Sequence, residues 1–350
     1  MRVAIRADAS VDIGTGHVMR CKTLAARLAR RGAAVAFVAA ELPEALERML
    51  RGEGYAVLRI GESPKSQEDD ARRTAQALER FGKPDWLVVD HYRLDRRWES
   101  AMREAAGRIF VIDDLADRAH DCDALLDPNY CRGCEGRYHG LVPPDCKLML
   151  GPRFLLLRPE FAEARKTARP RPERAVRRVL VFFGGSDPTN ETEKALLAIA
   201  RLKLPAEIHI DVVAGAANPQ CGRIESLCAD FGFEFTCQAA DLARRMAEAD
   251  FSLGAAGGAM WERCYLGLPA AVTVVAENQR QTAEDAAAYG AVWSLGSHDD
   301  VGAENYADIL DRALASPSAL REMSLRAFRL TDPASGAEGE HPAVRTILGE

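Results

Sequence analysis

One pattern governs what this chain can become: short apolar or β-branched runs ending in small or acidic residues, each followed by a helix-period segment. Residues 3–6 precede a glycine-rich loop and a helix over about 16–31; 35–38 precede a helix over 42–50; 86–90 precede a helix over 96–106; 109–113 follow. Alternating strands and helices of these lengths predict a parallel sheet covered by helices on both faces. The pattern then stops. Residues 165–178, beginning Arg165-Lys-Thr-Ala-Arg-Pro-Arg-Pro, are polar, contain proline and lack apolar periodicity, so they read as a linker.

Beyond it the series restarts with strands at 179–183, 208–213, 251–253 and 271–275. Helices are predicted over 190–202, with Asn190 as N-cap, and near 219–229, 240–248, 257–266 and 279–288. A chain of 350 residues exceeds the ~250–300 that one core usually serves. The expected architecture is therefore α/β, two doubly wound Rossmann-like domains facing a cleft. The first spans 1–164 and the second 179–330, joined by the 165–178 linker and followed by a loosely ordered tail over 331–350.

Composition narrows the partners. With 47% hydrophobic and 28% charged residues the chain is of globular type, and a net charge of −6 with both signs interspersed leaves no basic footprint for nucleic acid. The N-terminal apolar run is short and broken by charge, unlike a signal peptide. No stretch approaches the ~20 apolar residues that span a bilayer. Nine cysteines without framework spacing read as reduced thiols, so the expectation is a cytoplasmic protein, off the membrane.

Ligands of such sheets sit beyond the carboxyl ends of the strands, which selects four loops. The first, Asp8-Ala-Ser-Val-Asp12-Ile-Gly14-Thr-Gly16-His17, opens a helix, and Gly14 and Gly16 let the backbone approach a ligand. It lacks the dinucleotide fingerprint, because Met19 stands at the sixth position. A histidine at a helix N-terminus is disfavoured as imidazolium, so His17 is suited to accept a proton near neutral pH. From the loop alone, a histidine that packs or caps the first turn stands equally.

The second loop, Asp90-His91-Tyr92, offers Tyr92 to a sugar hydroxyl or amide, with a buried, internally bonded tyrosine as the alternative. Of Asp113-Asp114 one strand later, only one side chain can face a ligand, and capping the following turn is the preferred reading. The third loop, Gly184-Gly185-Ser186-Asp187, presents N–H groups and a hydroxyl suited to phosphate. In the fourth, Gly257, Gly258 and Ala259 open a helix that carries Glu262 one turn in, followed by Gly267-Leu-Pro269, a strand and Glu277-Asn278-Gln279. Such a turn can cradle a diphosphate while the glutamate accepts from ribose hydroxyls.

The small-residue turn, Glu262 and Gly-x-Pro resemble the nucleotide-sugar signature of MurG-type glycosyltransferases of the GT-B fold. Arg6-Ala-Asp-Ala-Ser-x-x-Ile-Gly-x-Gly-His17-x-x-Arg20, with Asp90-His-Tyr92, Asp113-Asp114, Gly140-Leu-Val-Pro143, Gly184-Gly-Ser-Asp187 and Asn278-Gln279, closely resembles a narrower group over residues 1 to about 290. That group is the PseG family, UDP-2,4-diacetamido-2,4,6-trideoxy-β-L-altropyranose hydrolases of pseudaminic acid biosynthesis. The resemblance implies metal-independent hydrolysis, with C–O cleavage and inversion at the anomeric carbon. His17 falls on the general base, Tyr92, Asn278 and Gln279 with Gly14 and Gly16 near the substrate, and Gly184, Gly185, Ser186, Gly257, Gly258, Ala259 and Glu262 around the nucleotide.

No cofactor is expected. The implied partners are a UDP-sugar and its UDP product, with the chain a monomer. Cys131-Arg-Gly-Cys134, near Cys122, His120, His139 and Cys146, lies outside the family pattern, and a single C-x₂-C lacks the second pair of a structural zinc site, so no metal is assigned.

Overall fold

The computed structural model describes all residues except 11–12, 62–63 and 335–338, together with the side chain of Cys134. The chain divides into two compact units. The first begins β1 Arg2–Ala7, α1 Gly16–Arg30, β2 Ala34–Ala39, α2 Glu44–Gly52, β3 Ala56–Arg59, α3 Gln67–Glu79 and β4 Trp86–Asp90. It continues with α4 Arg96–Met102, β5 Arg108–Ile112, β6 Ala124–Asp127 and β7 Lys147–Leu150. All seven strands form one parallel sheet in the order β3-β2-β1-β4-β5-β6-β7.

Both faces of this sheet are buried at its inner strands, which is why β1, β2, β4 and β5 read as continuous apolar runs. Val3 and Ile5 pack with Leu24 and Leu28 of α1, while Ala4, Leu87 and Val89 pack the other way onto Leu78 of α3 and Trp98 and Met102 of α4. Alternation of successive side chains across the sheet produces the division.

The second unit contains α5 Pro159–Thr167, β8 Arg178–Phe182, α6 Glu191–Ile199, β9 His209–Ala214, α7 Cys221–Phe231, β10 Glu234–Cys237 and α8 Leu242–Glu248. It goes on through β11 Phe251–Ala255, α9 Gly258–Tyr265, β12 Ala270–Val274, α10 Arg280–Tyr289, β13 Trp293–Ser297, α11 Ala303–Ala315 and α12 Pro317–Leu330. Its six parallel strands run β10-β9-β8-β11-β12-β13. Val179, Val181, Val212, Phe251 and Leu253 pack against Leu196 and Ile199 of α6 and Ile309 and Leu310 of α11. The two parallel α/β sheets confirm the fold class expected of the sequence.

Three local readings change. The stretch read as a linker begins inside α5, and two of its arginines are buried rather than solvated: Arg171 donates to the carbonyls of Met246 (2.7 Å), Ala249 (2.9 Å) and Leu266 (3.1 Å), and Arg165 to those of Tyr265 and Phe328. A guanidinium has enough donors to satisfy the carbonyls left open at the ends of α8 and α9, a role that polarity alone cannot reveal. Contacts divide the units at Arg158/Pro159, with Tyr130–Arg132 grouped in the second unit.

The tail beyond 330 is not a separate appendage. Residues up to Pro333 group with the second unit, and Ala334–Glu350 with the first, where α13 Pro342–Leu348 places Val344 and Ile347 in the core beside α1. Finally, Asn190 precedes α6 but its side chain makes no cap bond. Asp187 takes that role, accepting from the N–H of Glu191 and Thr192 at 2.9 Å each.

Candidate functional site

In a doubly wound sheet the strand order reverses at one place, and the loops leaving the two strands there diverge to opposite faces, opening a binding position at their carboxyl ends. In the first unit this is between β1 and β4, which pair with Ala7 opposite Asp90. The loop after β1 turns back on itself, with Gly14 donating to the Ser10 carbonyl at 2.9 Å and holding φ +77°, and Gly16 then opens α1. Asp12 lies outside the described residues.

This arrangement sets His17, on the first turn of α1, against the end of β4. Its Nδ1 lies 2.5 Å from Asp90 Oδ1, and the Tyr92 ring meets the imidazole edge-to-face at 4.4 Å between centroids. Arg20, one turn along, donates to both oxygens of Asp90 (2.6 and 2.7 Å) and to Asp114 Oδ2 (2.8 Å). A carboxylate only accepts, so the short contact assigns the proton to Nδ1 and leaves the lone pair of a neutral ring on Nε2. The 3.3 Å approach of Arg20 Nη2 to Nδ1 is then proximity rather than a bond, because both atoms carry hydrogen.

Asp90 is fully buried. Burial would raise its pKa, but the charge of Arg20, the interaction with His17 and the hydrogen bonds from both outweigh it and hold the carboxyl well below the usual carboxylate range. An ionised partner in that position orients the ring and stabilises it when it takes up a proton.

A second layer braces this group. Tyr138 Oη lies 2.9 Å from Asp113 Oδ2 and 3.1 Å from Asp127 Oδ2, while Arg137 donates to Asp127 (2.8 Å) and to the Asp114 carbonyl (2.9 Å). Burial raises Asp127 to about 6 despite Arg137. Asp113 also accepts from Ala116 N–H at 2.8 Å, the turn-capping role read from sequence, whereas Asp114 joins the Arg20 cluster. Next to Tyr92, His91 Nδ1 accepts from Arg93 N–H (3.1 Å), so its Nε2 donates to Asp8 (3.2 Å); Asp8 is paired with the buried Arg6, which also binds Asp70.

The second unit reverses strand order between β8 and β11. After β8, Gly184 (φ +99°), Gly185 and Ser186 form the turn before Asp187. A Cβ on Gly215, just past β9, would stand 2.2 Å from the Gly185 carbonyl oxygen, so the two loops pass backbone to backbone. After β11, Gly257 is the N-cap of α9, and Gly258 and Ala259 form its first turn. Gln279 accepts from Val275 N–H (3.1 Å), and its amide nitrogen lies 3.3 Å from where a Gly257 Cβ would be. Asn278 is exposed in the adjoining 3₁₀ turn, and Glu262 is half-buried on α9.

The structure thus joins His17 to Tyr92 in the first unit and Gly257 to Gln279 in the second. Sequence reasoning missed the pairing of His17 with Asp90, although both ends were in view, and missed Arg263, fully buried behind the Gly257 turn and donating to Ser252 Oγ (2.9 Å) and the Phe182 carbonyl. Burial lowers Arg263 to about 10. Among the described residues no three His, Cys, Asp or Glu side chains stand together as a metal site, and no helix is long and apolar enough to cross a membrane.

No protein-family model matches the sequence. The chain is 24% identical over 292 residues to an uncharacterised protein of Methanocaldococcus jannaschii, a match covering 81% of this chain but only 58% of that protein. It is 27% identical over 322 residues to the spore coat polysaccharide biosynthesis protein SpsG of Bacillus subtilis, covering 90% of each. It is also 27% identical over 227 residues to the UDP-2,4-diacetamido-2,4,6-trideoxy-β-L-altropyranose hydrolase of Campylobacter jejuni, covering 64% of this chain and 73% of that one. The fold is that of Acinetobacter baumannii MurG, with a TM-score of 0.67 at 14% identity over 100% of this chain and 99% of the other. The S. aureus MnaA–UDP co-structure shares it with a TM-score of 0.58 at 12% identity, over 99% and 94% of the chains.

Proposed function

We propose that the chain is an enzyme that hydrolyses a UDP-linked sugar, with UDP-2,4-diacetamido-2,4,6-trideoxy-β-L-altropyranose as its substrate, as in pseudaminic acid biosynthesis. The observation that carries this reading is the His17–Asp90 pair, a histidine with its Nδ1 proton fixed at 2.5 Å on a buried carboxylate. His17 Nε2 removes a proton from water as the oxygen attacks C1, and Asp90 stabilises the imidazolium that forms. Attack opposite the leaving group breaks the C1–O bond and inverts the anomeric carbon. Tyr92 borders the base. In the second unit, the N–H groups of Gly184, Gly185, Ser186, Gly258 and Ala259 receive the diphosphate, Glu262 the ribose, and Asn278 and Gln279 the sugar. No cofactor enters this scheme. The 27% identity to a protein named as this hydrolase supports the choice of reaction. The glycosyltransferase fold supports a sugar-nucleotide donor equally well with an acceptor in place of water.

The experiment offers a panel of UDP-sugars, this one included, in ¹⁸O-water and follows UDP release and label position. Label on the sugar C1 hydroxyl is expected. Label in the UDP phosphate overturns C–O cleavage, and UDP release that waits for an added acceptor makes the enzyme a transferase.

A further inference from the structure

The second unit carries a thiol pair that the proposed reaction does not use. Cys221 is the first residue of α7 and Cys237 the last of β10, and their sulfurs lie 2.9 Å apart with Cys221 donating. The fold brings them there: α7 runs back from the carboxyl end of β9, Gly232 turns the chain at φ +72°, and β10 returns parallel to β9 with Cys237 opposite Ala214. Carbon atoms in contact ordinarily rest ~3.5–4 Å apart and a disulfide needs about 2.05 Å, so the larger sulfurs, at 2.9 Å, are less than about 1 Å short of bonding. Cys237 is exposed and Cys221 half-buried, whereas Cys122 and Cys146 stand at an ordinary 3.5 Å with Cys122 buried.

We propose that Cys221 and Cys237 form a reversible dithiol–disulfide site whose oxidant is a low-molecular-weight disulfide. Cys237, exposed and accepting its neighbour's hydrogen, attacks first as its thiolate. It bonds to one sulfur of RSSR and expels RS⁻, leaving Cys237–S–S–R. Cys221 then gives its proton to solvent, and its thiolate attacks the Cys237 sulfur and expels the second RS⁻. Two protein thiols lose two protons and two electrons, and RSSR leaves as two thiols. The order follows from the pair itself, since the hydrogen bond to Cys237 and then burial push the Cys221 thiol up to about 11. Capture of Cys237 turns it from a thiolate into a neutral disulfide sulfur, a much weaker acceptor for the Cys221 proton.

The bond acts on a particular segment. Gln238, next to Cys237, accepts from Ala216 N–H at 3.1 Å, and Gly215 lies against Gly185. Tying α7 to β10 therefore fixes both ends of the loop over 215–220, beside the Gly184–Ser186 turn.

The test treats the full chain with oxidised glutathione, blocks remaining thiols with iodoacetamide and maps the peptides by mass spectrometry. The expected product is a Cys221–Cys237 cross-link that dithiothreitol reverses, with amide exchange over 215–220 slowed in the oxidised form. Cys221→Ser should retain glutathione on Cys237, while Cys237→Ser should leave Cys221 a thiol. A lasting mixed disulfide on Cys237 in the unsubstituted chain, no reaction at either thiol while Cys131 is modified, or unchanged exchange over 215–220 each overturn the proposal.

Discussion

The two sheets reverse strand order in the same way, yet the positions this creates are built from opposite materials. At β1 and β4 the carboxyl ends carry His17, Arg20 and Asp90, joined by Asp114 from the loop after β5, and the four are bonded to one another at 2.5 to 2.8 Å. At β8 and β11 they carry Gly184, Gly185, Gly257 and Gly258. Side chains can be ionised and can move protons; glycine turns can only bring backbone N–H groups close to an anion. On the proposed function, the same topology hosts a chemical group in one unit and a cradle in the other. The first should fail when charge is altered, the second when volume is added.

The sharpest way to break the comparison is His17→Phe, which keeps an aromatic ring beside Tyr92 and removes both nitrogens. The expected loss in kcat is ~10²–10⁴-fold, the usual contribution of a general base. UDP affinity, measured by calorimetry, should be unchanged. Full activity in this variant would remove the base from its role and leave the first unit without chemistry.

Asp90→Asn tests the partner rather than the base. The amide can still bond the ring but no longer offers a charge to the imidazolium. Loss of a charge-assisted hydrogen bond worth ~1.5–3 kcal/mol corresponds to a fall of about 10- to 100-fold in kcat, with KM nearly constant. An equal fall in UDP affinity would assign Asp90 to folding or nucleotide binding instead.

For the second unit the perturbation is a methyl group. Gly215→Ala puts its Cβ 2.2 Å from the Gly185 carbonyl oxygen, backbone against backbone, so one loop must shift. Overpacking of this kind costs ~1–3 kcal/mol, read as a lower denaturant midpoint together with weakened UDP binding. Gly14→Ala in the first unit meets nothing within 4 Å and strains only its φ of +77°, a cost of ~1–2 kcal/mol. Its activity should survive better than that of Gly215→Ala measured by nucleotide affinity.

These contrasts were only partly legible in the sequence. The 86–89 run is apolar throughout because β4 is covered on both faces, and the strand ends at Asp90 as the sequence predicts. By contrast β3 and β7, at the sheet edges, carry exposed residues such as Arg59 and Lys147 and gave no such run. Glycine turns and His17 stood out because their residues are consecutive. The partner of His17 lies 73 positions away and is set by the pairing of β1 with β4, which no local pattern encodes. The buried arginines failed for a related reason: a residue that is nearly always exposed is buried here only because carbonyls from α8 and α9 surround it.

The smallest expected effect concerns the C-terminal helix, where charge again decides in the first unit. His341 Nδ1 accepts from Ala343 N–H and Nε2 lies 3.1 Å from the Phe154 carbonyl, so a neutral ring both caps α13 and ties it to the unit. Burial lowers its pKa from 6.5 to about 4, against the Phe154 bond that raises it. A base whose folded pKa is depressed stabilises the fold above its unfolded value and loses that contribution as pH falls towards the folded one. Between pH 6.5 and 4, then, amide exchange over 342–348 should quicken, since protonation of Nδ1 removes the acceptor of Ala343 N–H. His341→Asn keeps a side-chain oxygen suited to the cap but has no proton to gain, so its exchange should be flat across the same window. A variant that follows the same pH curve would place the sensitive group elsewhere, with the Arg27–Glu340 pair at 3.6 Å as the next to examine.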